Sequence, residues 1–192
     1  MSTKLLLIFV LSTLVVAALA GLIFLTDKPS LRGSVIDPPL PAAEIKLTDS
    51  TGQPFSLSRQ RGKVILVFFG YTNCPDECPL TMANLKLAVE ALGADASRAV
   101  VLMVTTDPER DTPEAMRSFL DRFNTEFRGL TGPLEDLEGV WKDYGVTVMD
   151  GGETHSNYVY VIDESGNLVE TILADAGPAD IAADIQALLD ED

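Results

Sequence analysis

The sequence predicts an α/β domain in which a mixed central sheet is flanked by helices, behind an apolar N-terminal segment. Three observations predict it. Val64 to Phe69 is an unbroken apolar run rich in β-branched and aromatic residues, the pattern of a strand buried on both faces. Past Gly70, a helical pattern follows, with Met82, Leu85, Val89 and Leu92 recurring near i, i+3, i+7 and i+10, closed by Gly93. Further apolar runs alternate with helical stretches to the end of the chain. The resulting order, β-β-β-α-β-α-α-β-β-α, is that of a sheet covered by helices on both faces.

Composition sets bounds on function. A chain of 192 residues allows one domain plus an extension, and 46% hydrophobic residues supply a core. A formal charge of −15 argues against a nucleic-acid partner, because phosphate binding needs clustered Lys and Arg. Two cysteines are too few for a disulfide scaffold and read as an isolated functional pair.

The elements follow in order. Leu5 to Leu25 is an uncharged run of 21 residues between Lys4 and Asp27, long enough to cross a bilayer as a helix of about 20 residues. Ala18-Leu19-Ala20 resembles a signal-peptide cleavage site, but apolar sequence continues past it. Residues 1–28 therefore read as an N-terminal transmembrane helix, with a cleaved signal peptide as the alternative. Either reading exports the rest of the chain. Residues 29–42 hold four prolines and read as a semi-extended linker, and residues 43–192 as the folded domain. Glu44–Leu47 and Phe55–Leu57 flank a turn at Asp49 to Gly52, a hairpin pattern. Ala99 to Val104 is a second buried strand, leading into the polar loop Thr105 to Asp111. Thr112 and Pro113 read as N-cap and first residue of a helix with Met116, Phe119, Leu120 and Phe123 inward. A third helix starts at Pro133, burying Leu134, Leu137, Val140, Trp141 and Tyr144, and ends at Gly145. Val146 to Thr154, with Gly151-Gly152, reads as a loop. Tyr158–Ile162 and Leu168–Leu173 form a last hairpin, and a final helix buries Ile181, Ile185, Leu188 and Leu189.

The chemistry gathers at the first major strand–helix junction, where Cys74 and Cys78 lie in VILVFFGYTNCPDECPLTM. The carboxyl ends of strands are the usual place for chemistry in open α/β sheets. Free N–H groups and the dipole of a helix N-terminus favour thiolate there. Thiolates attack disulfides and hold soft metal ions. The C-x-x-x-C spacing is one residue longer than the C-x-x-C of thioredoxin, a bite that suits a metal ion as well as a disulfide. Two buried structural cysteines are the plainer reading, disfavoured by the polar, Pro-flanked loop. Cysteines at this junction make the fold thioredoxin-like. Enzymes of that fold keep a cis-proline ahead of the last hairpin, but here no proline falls between Pro133 and Pro178. Thr154-His155-Ser156 stands in that place, and His155 is the only histidine. A lone histidine is by default a hydrogen-bonded or surface residue; its topological position makes it a candidate ligand. Two thiolates and an imidazole suit copper in either state, and also zinc. A structural zinc site takes four protein ligands where this set offers three.

FGYTNCPDECP, then VTTDPERDTPEAM, then a lone histidine ahead of the last hairpin: in these motifs and their order the chain resembles the Sco/SenC family. That family comprises membrane-tethered copper proteins involved in assembling cytochrome c oxidase. The resemblance covers roughly Ala43 to Leu173. It implies that Cys74, Cys78 and His155 bind copper, as Cu(I), Cu(II) or both, and that Cys74 and Cys78 form a reversible disulfide. Asp107, in the acidic loop, is then a neighbour of the site, against the plainer reading of a carboxylate capping backbone N–H groups. Met103 reads as core and Met149 as an exposed loop residue. Tyr158 and Tyr160 read as strand residues, with Tyr158 near the site.

Three functions compete. The first is a metallochaperone, not an enzyme, anchored in the cytoplasmic membrane with its domain on the periplasmic side. It would deliver copper to the copper-site subunit of a cytochrome oxidase, with other copper carriers or thiol reductants as further partners. Binding would require the dithiol, so oxidation would switch it off. The second is a thiol–disulfide oxidoreductase that keeps the oxidase cysteines reduced, with Cys74 attacking and Cys78 resolving. The third, a peroxidase, lacks a dedicated donor set around its cysteine.

Overall fold

Val64–Gly70 (β4) is buried at every position, and its alternating side chains divide the core in two. Val64, Leu66 and Phe68 face one cluster, while Ile65, Val67 and Phe69 face the other, the period of two that a strand imposes. The computed structural model describes residues 31–149 and 154–191, together with Thr13. The anchor and cleavage site assigned to residues 1–28, Thr13 apart, and the Gly151-Gly152 part of the expected loop lie outside the described residues. Among the described residues no helix is long and apolar enough to cross a membrane.

Ten strands are described. Ser34–Pro41 (β1), Lys46–Asp49 (β2), Pro54–Ser56 (β3), Ala99–Thr105 (β5), Arg128–Thr131 (β6), Tyr158–Ile162 (β9) and Asn167–Leu173 (β10) join β4 in one sheet, ordered β1-β10-β9-β4-β5-β6-β2-β3. Val148–Met149 (β7) and Thr154–His155 (β8) form a separate two-stranded ribbon. β4, β5 and β6 are mutually parallel, whereas β9 lies antiparallel on the other side of β4. The predicted mixed sheet with helices on both faces is therefore the observed one.

Helix Glu77–Ala91 (α1) packs Met82, Leu85 and Val89 onto the Val64 face. It shares that face with Pro113–Leu120 (α2), through Met116, Phe119 and Leu120, and with Pro178–Leu189 (α4), through Ile181, Ile185, Leu188 and Leu189. The helix Leu134–Asp143 (α3) covers the Ile65 face with Leu137, Val140 and Trp141, followed by Tyr144. Burying such side chains is worth about 1.5–3 kcal/mol each and is the main term holding the layers together. The Thr112 hydroxyl accepts the Ala115 N–H at 3.2 Å with Pro113 at the helix start, as expected of this cap. Met103 is core and Tyr160 buried, while Met149 and Tyr158 are exposed.

The structure corrects several expectations. Ser34–Pro41, expected within the linker, is an edge strand, with Ser34 opposite Thr171 and Leu40 opposite Leu168. Proline donates no N–H and so is excluded from central strands, but an edge tolerates it; the register shifts between Val35 and Leu40, across Pro38 and Pro39. β6 went unseen because it is short and carries Gly129. A Cβ there would lie 2.7 Å from Met116 Cβ, so the glycine lets α2 sit close on the sheet. Leu134, expected inside, is 54% exposed because the helix begins at this residue with its first turn outward. Part of the expected loop Val146–Thr154 pairs as β7 with β8.

Candidate metal centre

Three chain segments meet at one end of the sheet. β4 and β5 run parallel with Gly70 opposite Thr105, and the Thr106 N–H donates to the Gly70 carbonyl at 2.9 Å. The cysteine loop and the acidic loop therefore leave the sheet side by side. β9 is antiparallel to β4, with Val159 opposite Phe68, so its start lies at this same end. The backbone of His155, in β8 opposite Val148, stands three residues before Tyr158. The topology thus brings the His155 backbone to the sheet end that bears the cysteines. The His155 side chain lies outside the described residues.

The cysteines are brought together by a turn and a helix start. The Cys74 N–H donates to the Tyr71 carbonyl at 3.3 Å, closing a turn over Thr72 and Asn73. Helix α1 begins at Glu77, which places Cys78 inside its first turn. The N-cap Asp76 makes no side-chain cap. Instead the Cys78 N–H donates to Cys74 Sγ at 3.3 Å, so a sulfur takes one of the free N–H groups of the helix start. No disulfide joins Cys74 and Cys78; Cys74 is partly exposed and Cys78 is buried. Gly70 makes room: a Cβ there would lie 2.9 Å from Cys78 Sγ and 2.5 Å from the Phe68 ring.

The electrostatics depart from expectation at Cys78. Burial pushes its thiol well above the ordinary cysteine range, against a lowering hydrogen bond from the Tyr71 backbone; contact with Cys74 and the charge of Glu77 push it further up. The helix N-terminus does not make Cys78 a thiolate in the metal-free protein, because desolvation of a sulfur anion outweighs the partial charges of the helix end.

Asp107 is 3% exposed, its carboxylate is paired with Arg110, and its N–H donates to Thr105 Oγ1 at 2.9 Å. It is a buried loop carboxylate at the right end of the sheet, engaged within its own loop. Sequence reasoning passed over Asp111, which is fully buried and reaches the cysteine loop directly. It accepts the Thr72 hydroxyl at 2.5 Å, the Thr72 N–H at 3.2 Å and the Thr105 hydroxyl at 2.7 Å. Burial raises its carboxyl above the usual range, the Thr72 and Thr105 bonds pull it back, and Asp107 adds to the rise. The spacing Asp107-x-x-x-Asp111 was its only sequence signal, and nothing in it says which carboxylate turns towards the cysteines.

A sequence model of the SCO1/SenC family matches residues 37–190. The chain belongs to the SCO1/SenC family. An SCO2-like protein of Rickettsia felis is 30% identical over 147 residues, 72% of each chain. A relative from Stutzerimonas stutzeri is 35% identical over 126 residues, which make up 65% of this chain but only 61% of that one. Among solved structures, that of Bradyrhizobium japonicum ScoI with copper bound is 31% identical, with a TM-score of 0.71 over 77% of this chain and 98% of that one. Apo Sco1 of Thermus thermophilus is 34% identical, with a TM-score of 0.73 over 83% and 97%. The described sheet and its flanking helices are thus the thioredoxin-like architecture of Sco proteins.

Proposed function

We propose that this member of the SCO1/SenC family binds one copper ion through Cys74, Cys78 and His155 and passes it to the copper-site subunit of a respiratory cytochrome oxidase. The observation that carries this reading is the pair of thiols outside any disulfide, linked by the Cys78 N–H to Cys74 contact, at the sheet end that also bears the His155 backbone. Soft sulfur with imidazole is a donor set that fits copper. The copper held by the similar Bradyrhizobium japonicum ScoI supports it. Metal binding would release the Cys78 proton, so copper also offsets the desolvation that keeps this thiol neutral. Residues 1–28 would anchor the domain in the cytoplasmic membrane, on its periplasmic side.

A second reading, thiol–disulfide exchange with the oxidase's copper-site cysteines, is favoured by one asymmetry: Cys74 is partly exposed and Cys78 buried. That is the arrangement of an attacking and a resolving thiol. Copper titration of the reduced protein, followed by sulfur-to-copper charge-transfer absorption, separates the two. One tight equivalent, weakened at least tenfold by His155→Ala, is expected of the copper carrier. Rapid exchange with a disulfide substrate, without tight copper binding and unaffected by His155→Ala, would leave the oxidoreductase.

A further inference from the structure

We propose that Asp111 is the positioning residue for Cys74, acting through Thr72. A buried carboxylate is costly unless it is saturated with donors, and Asp111 spends its bonds on two segments. One is the end of β5, through the Thr105 hydroxyl. Thr105 is itself fixed, since its carbonyl accepts the Trp141 indole N–H at 3.1 Å and its hydroxyl accepts the Asp107 N–H. The Asp111 backbone is tied down by its own N–H, which donates to the Asp107 carbonyl at 3.0 Å. The second segment is Thr72, held by both its N–H and its hydroxyl.

Thr72 is the first inner residue of the turn that the Cys74 N–H closes on the Tyr71 carbonyl. Holding that residue at backbone and side chain fixes the path of the chain into Cys74. It thereby fixes where the Cys74 sulfur stands relative to the Cys78 N–H, now 3.3 Å away. Asp107 has no such reach, being paired with Arg110 in its own loop. The acidic loop therefore bears on the cysteine pair through its last carboxylate. Asparagine is nearly isosteric but replaces one acceptor oxygen with an N–H donor. At position 111 that donor meets the Thr72 N–H or forces a threonine hydroxyl to turn and accept, so the grip weakens without a cavity.

The experiment compares Asp111→Asn, Thr72→Val and Asp49→Asn with the parent in the full chain. Asp49 serves as control, a buried carboxylate that accepts the Thr51 and Gln53 N–H groups in the β2–β3 turn, outside the site. Two quantities are read: copper affinity by competition titration, and the rate of Cys74 alkylation in the reduced, metal-free protein. The copper arm rests on the proposed function; the alkylation arm does not. Asp111→Asn and Thr72→Val are expected to lower copper affinity at least tenfold and change the alkylation rate at least threefold. Asp49→Asn should lower Tm without moving either. The proposal is overturned if the two site variants lose Tm like the control yet keep both quantities within twofold of the parent. Should the parent fail to bind copper, the metal reading falls and alkylation alone decides this inference. Should Asp111→Asn fail to fold, Thr72→Val decides it by the same thresholds.

Discussion

Gly70 shows how a single hydrogen in place of a methyl group shapes the cysteine site. Its missing side chain lets Cys78 Sγ and the Phe68 ring close over the strand end, where a Cβ would stand 2.9 and 2.5 Å from them. Overpacked core positions of this kind cost about 1–3 kcal/mol. Gly70→Ala is therefore expected to lower stability by about that amount, read as the denaturant midpoint, and to make Cys78 more accessible to thiol reagents. An unchanged midpoint with unchanged Cys78 accessibility would show that the ring and sulfur move aside without cost. At the same scale, Cys78 illustrates a competition between two effects. A helix N-terminus favours negative charge by a few tenths of a kcal/mol to about 2. Removing a sulfur anion from water costs more, so burial favours the protonated Cys78 thiol.

At the scale of elements, β1 is the departure with most consequence. Its amides pair with β10 rather than with water, and the chain just before it is pinned as well. The Arg32 N–H donates to Asp184 at 3.0 Å and the Gly33 N–H to Glu170 at 2.5 Å. Hydrogen exchange followed by mass spectrometry checks this: peptides covering 34–41 should exchange at least tenfold more slowly than an unstructured chain. Exchange at the unstructured rate would return these residues to a spacer. The neighbouring aromatic group works in the same sense on the other face. Tyr144 and Tyr160 rings meet edge-on at 5.4 Å and both lie 5.5 Å from Phe69. The Tyr144 hydroxyl donates to the Ala43 carbonyl at 2.8 Å, tying the chain ahead of β2 to the end of α3.

For the molecule as a whole, the −15 charge meets one place where two acids are forced together. Glu170 on β10 and Asp184 on α4 are both buried, and among the described residues neither Glu170 Oε2 nor Asp184 Oδ2 has a hydrogen-bond partner. A proton on Glu170 would let its carboxyl donate to Asp184. Burial, then the Asp184 charge, pushes Glu170 up to about 7 from an ordinary 4.5, against the Gly33 N–H. Burial likewise raises Asp184, opposed by Arg32. The folded state therefore holds more protons than the unfolded chain between about pH 4.5 and 7. Stability contributed by this pair is full below that window and falls as pH rises through it, by about 1–3 kcal/mol. Asp49 acts in the opposite direction: burial alone would raise its carboxyl, but Thr51 and Gln53 hold it below 3.8. Its contribution is lost as pH falls below that value. Thermal unfolding across pH 4–8 should show the decline, and Glu170→Gln should flatten it. A slope that survives Glu170→Gln would assign the effect to general charge repulsion instead.

Much of this architecture was legible because burial writes itself into short, strong patterns. The runs Val64–Phe69 and Ala99–Val104, the spacing of Met82, Leu85 and Val89, and the Thr112-Pro113 start each follow from local geometry. What escaped was non-local. The prolines of β1 read as spacer because only the position of β10 makes their segment an edge strand. β6 escaped because the reason for Gly129 lies on α2. The cysteine pair and the place of His155 at the same sheet end were visible from order along the chain. The protonation of Cys78 was not, since burial depends on what the fold stacks around the sulfur. Nor was the role of Asp111: Asp107 and Asp111 look alike in sequence. The sequence by itself thus determined the family, the α/β class and the candidate donors, because those depend on residue type and spacing. Tertiary structure alone decided which carboxylate grips the cysteine loop and which thiol is shielded, because both depend on contacts between residues distant along the chain.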